Sequence, residues 1–162
     1  MQGQYEVFVS KDDFKFNAAH FMAYPGFRER LHGHNYRVAV RIEGERGADG
    51  YVVDFGDIKK AARAVCSRMN ERVIVPMNSD CLDIEVADGQ VQLRSEDGSR
   101  FSFPEADCVC LPIAHSSAEE LAEYICSQLV EALDLLASRD VHTLEVAVAE
   151  APNQEARFRA QL

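Results

Sequence analysis

Two apolar faces in this chain end in histidine, and that placement limits its fold more than any other feature. In His32-Gly33-His34 the first and third residues point the same way along an extended strand. The same parity continues through Tyr36, Val38, Val40 and Ile42, an apolar face, while Gly33, Asn35, Arg37, Ala39 and Arg41 make a wet one. His20 ends a matching run of even positions, Phe14, Phe16 and Ala18. An antiparallel pair with residues 21–31 as its loop brings His20 back beside His32 and His34. Imidazoles on a protected face are costly unless they are bonded. Each is therefore either hydrogen-bonded in the core or metallated, and an HxH pair joined by a third histidine at a strand end favours metal. Three neutral imidazoles with no fourth protein ligand describe a catalytic zinc site with one open position.

Length and charge set the outer limits. The 162 residues, 47% of them hydrophobic, predict one globular domain over 1–162 with room for a core. A net charge of −10 argues against nucleic acid as a partner. No apolar run is long enough to span a bilayer, and the first residues carry neither a basic stretch nor an apolar signal core. Cys66, Cys81, Cys108, Cys110 and Cys126 are an odd set without CxxC spacing, as expected of reduced thiols in a cytoplasm. Cys108-Val-Cys110 is expected to pack rather than to bind metal.

The remaining pattern gives the order of elements. Residues 4–20 read as a strand with a bulge or turn at 10–13, where the inward parity changes. Residues 32–44 form a second strand closed by the turn-rich segment 44–50, and 51–55 briefly resume a strand. Ile58, Ala61, Ala62, Val65, Cys66 and Met69 recur at helical spacing, with Asp57 placed to cap the start. Leu82–Val86, Val91–Arg94 and Arg100–Phe103 read as a three-strand meander, separated by turns at 87–89 and 96–98. A second helix carries Leu121, Ile125, Leu129, Leu133 and Leu136 on its stripe, opened by a Ser117/Glu120 capping box. The last strand, Val141–Glu150, puts Glu150 at the end of the apolar parity of Leu144, Val146 and Val148. The fold class is α+β, with helices on one face of an antiparallel sheet. An inward carboxylate such as Glu150 needs paired donors: an arginine, two backbone amides, or a ligand edge bearing N–H beside an amino group, as in a pterin or guanine.

Five segments taken together resemble a known family. Phe16-Asn-Ala-Ala-His20, Leu31-His-Gly-His-Asn-Tyr36, Val53-Asp-Phe55 with Lys59, Ser117-Ala-Glu119 opening a helix, and Val148-Ala-Glu150 follow one another from about residue 4 to 152. In that order they resemble the signatures of the 6-pyruvoyl-tetrahydropterin synthase family, which includes the 6-carboxytetrahydropterin synthases of the queuosine pathway. The resemblance implies the tunnelling (T-) fold, an antiparallel sheet with two helices, assembled as a trimer or stacked hexamer. It implies that His20, His32 and His34 hold Zn2+, that Glu150 anchors the pterin ring, and that Ser117 and Glu119 belong to a substrate motif. An acidic residue at Glu119 also suits the helix dipole. The implied substrate is 7,8-dihydroneopterin triphosphate, from which triphosphate or a two-carbon fragment leaves in some branches. The 82–103 meander is an insertion relative to short members of the family.

The catalytic pattern departs from the common one. The usual enzymes carry a cysteine in the loop before HGH and an Asp-His dyad after the first helix, whereas no cysteine here precedes Cys66. Glu29 in that loop instead resembles the branch that makes 6-hydroxymethyl-7,8-dihydropterin, a folate precursor. Its alternative is a solvated loop charge paired with Arg28 or Arg30. The dyad position falls on Asn70-Glu71, so Glu71 is the candidate second acid/base, and His115 is read as an ordinary loop histidine. Lys15, Arg28 and Arg30 are candidates to meet substrate phosphates. The expected function is a zinc-dependent lyase, with the 6-pyruvoyl or 6-carboxy product as one alternative. A non-catalytic pterin- or purine-binding protein is the other.

Overall fold

The computed structural model describes residues 3–138 and 140–162. The alternation in the first third of the chain builds its longest pairing. β1 (Tyr5–His20) returns through a loop, and that loop folds into a hairpin of its own, β2 (Ala23–Tyr24) and β3 (Phe27–Arg28), turned at Pro25-Gly26 where Gly26 takes a φ of 82°. β4 (His32–Gly44) then runs antiparallel to β1, setting His20 opposite His32 and Ala18 opposite His34. Lys11 to Phe14 lie opposite Val38 alone, so the expected break is a wide bulge inside one strand. The bulge is why Val9 and Phe14, of opposite parity, are both buried.

Residues 51–55 do not resume a strand. Asp54 instead caps α1 (Phe55–Met69), accepting hydrogen bonds from the amides of Gly56 and Asp57. The cap is thus Asp54 and not Asp57, because Asp54 holds the extended backbone that lets a side chain fold onto the first turn. β5 (Arg72–Pro76) follows, then the meander β6 (Leu82–Ala87), β7 (Gln90–Ser95) and β8 (Arg100–Pro104), then β9 (Cys108–Leu111). α2 (Ala118–Ala132), β10 (Val141–Ala151) and β11 (Gln154–Gln161) complete the chain.

The main sheet has the order β11-β10-β4-β1-β5-β9. It is mixed, where an antiparallel sheet was expected: β5 lies parallel to β1, and β9 parallel to β5. Each parallel step needs a crossover. The meander itself supplies the second. Both helices lay their buried stripes on the inward residues of β1, β4 and β10, forming one core. α2 ends before the last two expected stripe positions. Asp134 turns left-handed at φ 49°, which leaves Leu136 74% exposed and buries Leu135 instead. Half of the expected capping box forms: Glu120 N–H donates to Ser117 Oγ at 3.3 Å, while the Glu120 carboxylate accepts from the amides of Ala114 and His115. A second, smaller core joins the meander to the start of the 21–31 loop, through Phe21, Ala23, Val75, Leu82, Val91 and Leu93. Among the described residues no helix is long and apolar enough to cross a membrane.

Candidate active site

The three histidines meet where β1 ends and β4 begins. Ring centroids lie 4.7 Å apart for His20 and His32, 5.1 Å for His20 and His34, and 4.8 Å for His32 and His34. The rings are tilted against each other, and one ligand nitrogen from each falls within 4.8 Å of the others. Gly33 between them suits the neighbouring strand, since a Cβ there would crowd the Ala18 carbonyl at 3.2 Å.

The hydrogen bonds around the rings decide which nitrogen is free. His20 Nδ1 lies 2.8 Å from the Ser116 carbonyl oxygen, and His32 Nδ1 lies 2.8 Å from that of Arg30. A carbonyl only accepts, so in both rings Nδ1 carries the proton and Nε2 offers its lone pair, the arrangement of a metal-binding histidine. His20 is 2% exposed, and among the described residues its Nε2 is the buried side-chain polar atom left without a partner. Burial pushes the His20 pKa below the ordinary imidazole value, keeping the ring neutral and available as a ligand. For His20 the core reading accounts for Nδ1 and leaves Nε2 stranded. A metal ion satisfies both.

A cleft of about 300 Å³ opens in front of the triad. Glu29 borders it from the loop, Ser117 and Glu119 from the start of α2, and Glu150 from the end of β10. Glu150 is half-buried, and its recorded partner is the Tyr36 hydroxyl, which donates across a long 3.5 Å. Burial, followed by the Glu150 charge, raises the Tyr36 pKa and keeps its hydroxyl protonated. Among the described residues no arginine pairs with Glu150, so its second oxygen is left for a ligand. Glu29 is tied by its Oε2, which accepts from the Met22 amide at 3.0 Å. Neither Arg28 nor Arg30 pairs with its carboxylate: Arg28 donates to Asp97, Ser99 and the Glu29 carbonyl oxygen. Those bonds engage the Arg28 guanidinium with the 96–99 turn and with the loop's own backbone.

Other sequence candidates lie elsewhere. Glu71, with a left-handed φ of 58°, does not border that cleft but a neighbouring one, lined by Asn17, Arg72 and Asp107 together with Gly33 and His34 of the triad's own strand. His115 Nδ1 sits 2.8 Å from Glu120 Oε1 beside the start of α2. Sequence reasoning missed Ser116, a buried serine whose carbonyl orients His20 and whose hydroxyl donates to the Phe21 carbonyl at 3.0 Å. A serine one residue before a helix cap carries no periodic signal, so nothing in the sequence singles it out.

Comparison with known proteins bears on the family and the fold. The family model described as 6-pyruvoyl tetrahydropterin synthase matches residues 9–161. A Methanocaldococcus jannaschii protein, provisionally named a 6-carboxy-5,6,7,8-tetrahydropterin synthase, is 31% identical over 149 residues, covering 91% of each chain. The crystal structure of 6-pyruvoyl tetrahydropterin synthase from Plasmodium vivax superposes with a TM-score of 0.94 at 44% identity, over 99% of this chain and 100% of that one. Two further structures of the P. vivax enzyme carry alanine or cysteine in place of a glutamate described as its catalytic residue. With a T-fold shared over almost its full length and a family match spanning nearly every element, the chain belongs to the 6-pyruvoyl tetrahydropterin synthase family of pterin-synthase-type lyases.

Proposed function

We propose that the protein is a zinc-dependent pterin side-chain lyase, acting on 7,8-dihydroneopterin triphosphate or a close derivative and releasing 6-hydroxymethyl-7,8-dihydropterin, a folate-type precursor. The observation that carries this reading is a glutamate, Glu29, where a thiol is the common catalytic group, bordering the same cleft as the histidine triad. The catalytic glutamate of the P. vivax relative supports it. Three neutral imidazoles suit Zn2+, which when bound supplies Lewis-acid polarisation of the substrate's side-chain oxygens.

The residues divide the remaining work. Glu150 accepts from the paired N–H groups of the pterin edge and fixes the ring, with Glu119 and Ser117 closing the same wall of the cleft. Glu29 takes the proton from the side-chain hydroxyl two carbons from the ring. The carbon–carbon bond on the ring side of that hydroxyl then breaks, its electron pair passing into the ring's C=N. The leaving fragment departs as an aldehyde, and the proton held by Glu29 returns to the carbon next to the ring. One carboxylate both removes and returns the proton, so this reaction is balanced without a second acid/base group. That fits a chain in which no Asp-His dyad follows α1, and it leaves Glu71, which meets the triad only through the cleft it shares with His34, without a required step. We further propose that the protein works as a homo-oligomer of three or six chains.

Incubating the zinc-loaded protein with 7,8-dihydroneopterin triphosphate and identifying products by mass spectrometry tests the reading. The expected product is the 6-hydroxymethyl pterin, abolished in Glu29→Ala with metal content unchanged. Full activity in that variant, or a 6-pyruvoyl or 6-carboxy product, overturns the assignment.

A further inference from the structure

The β6–β8 meander lies beside the catalytic loop, and Arg28 is the side chain that joins the two most fully. Phe21 at the root of the loop stacks on Phe101 of β8, with centroids 4.9 Å apart. The Arg28 guanidinium carbon sits 5.9 Å from the first ring and 5.5 Å from the second. From there its three nitrogens divide. Nε donates to Asp97 Oδ2 at 2.8 Å, and Nη2 to Ser99 Oγ at 3.0 Å, both in the β7–β8 turn. Nη1 donates to the carbonyl oxygen of Glu29 at 2.7 Å. The same turn takes a second hold on the loop, because Glu96 Oε2 accepts from the Gly26 amide at 2.9 Å.

Asp97 is itself fixed before it meets the loop. Its other oxygen accepts from the Ser95 hydroxyl and, at 2.9 Å, from the Ser99 amide. These bonds, with the Arg28 pair added, hold its carboxyl well below the usual carboxylate range. On the loop side the Glu29 amide donates to the Met22 carbonyl at 2.9 Å, and Glu29 Oε2 accepts from the Met22 amide. Glu29 therefore has its backbone held at both ends and one carboxylate oxygen tied, in a residue that borders the cleft.

We infer that Arg28, clamped by Asp97 and Ser99 of the β7–β8 turn, is a positioning residue that sets the reach of Glu29 into the active-site cleft, so that the meander acts as a brace for the catalytic loop. The inference rests on reading Glu29 as the proton-transferring group. A planar fork is needed here because one side chain must hold a carboxylate, a hydroxyl and a carbonyl at fixed mutual angles, which an ammonium cannot do. Displacement of a general base by about 1 Å costs on the order of 100-fold in rate.

The test compares Arg28→Met, Asp97→Asn, their double variant and Glu29→Ala in the zinc-loaded protein, with 7,8-dihydroneopterin triphosphate as substrate. Methionine keeps an apolar stem against Phe21 and Phe101 and removes the fork. Arg28→Met is expected to lower kcat by about 10-fold to 100-fold, with KM within about twofold and metal content and thermal midpoint retained. Amide exchange at Glu29 is expected to speed up by about tenfold as its backbone loses one anchor. Asp97→Asn should show a smaller loss of the same kind, and the double variant should be no worse than Arg28→Met, since the Arg28–Asp97 pair is already lost in that variant. Normal kcat in Arg28→Met while Glu29→Ala is inactive overturns the positioning role alone. Loss of activity in step with loss of metal or of fold, in both single variants, also overturns it in favour of a structural role. Full activity in Glu29→Ala overturns the reading of Glu29, and with it the inference.

Discussion

At the scale of single residues, the site is built from atoms whose alternatives have been used up. His20 and His32 each give Nδ1–H to a main-chain carbonyl, so only Nε2 remains to bind. His34→Ala or His32→Ala should therefore take metal content, read by elemental analysis, from one ion per chain toward none while circular dichroism stays native. Full metal in the double variant would contradict the site. Glu150 offers a second case. Replacing it with glutamine turns one acceptor into a donor that faces the N–H groups of a pterin edge. Ligand affinity should fall by about 10-fold to 100-fold with metal unchanged, by calorimetry with a pterin lacking the reactive side chain. Unchanged affinity would remove Glu150 from the ligand site. Much of this cleft was legible because parity alone put His20, His32, His34 and Glu150 on one face, although only His20 is buried and His32, at the start of its strand, is exposed. Ser116 and the role of Arg28 were not, since both act through loop contacts between segments about 70 or more residues apart.

At the scale of elements, legibility followed the length of the periodic signal. The stripes of α1 and α2 and the turns of the meander recur over enough residues to be read directly. β5 and β9 are short apolar runs, which periodicity cannot assign, and their parallel pairing depends on crossovers that no local pattern encodes. The two-residue strands β2 and β3 are defined by what the meander holds in place. β11 does alternate Ala156, Phe158 and Ala160 with charged neighbours, and was readable in principle; its tight turn at Pro152-Asn153, with Asn153 at φ 65°, hid the return of the chain. The start of α1 gives a direct check on such boundaries. Asp54 accepts from the Gly56 amide at 2.6 Å and the Asp57 amide at 3.3 Å. Asp54→Ala should cost about 1 kcal/mol and lower the thermal midpoint by about 2–4 °C, whereas Asp57→Ala should change it far less. Equal effects would mean that Asp54 is not the cap.

At the scale of the whole molecule, the sheet ends in two unlike open edges, β11 on one side and β9 on the other. An unpaired edge strand is a template for another chain, and β11 presents eight residues without proline. Its outward charges are already matched within the chain, Arg157 to Glu145 and Glu155, and Arg159 to Glu43, so they do not repel an incoming strand. Pairing one edge with the other is head-to-tail, and such contacts close into rings when the rotation allows. Gln154 and Glu155, where β11 begins, also border the histidine cleft, so a neighbour at that edge would stand beside the active site. Sedimentation equilibrium at micromolar concentration should then give three or six times the 18.1 kDa chain mass. Dilution into the dissociating range should lower activity per chain while zinc stays bound, because the histidine triad lies within one chain and the edge does not. A monomer with full activity would show that the cleft is complete in a single chain and that the two edges are left unpaired in the working enzyme.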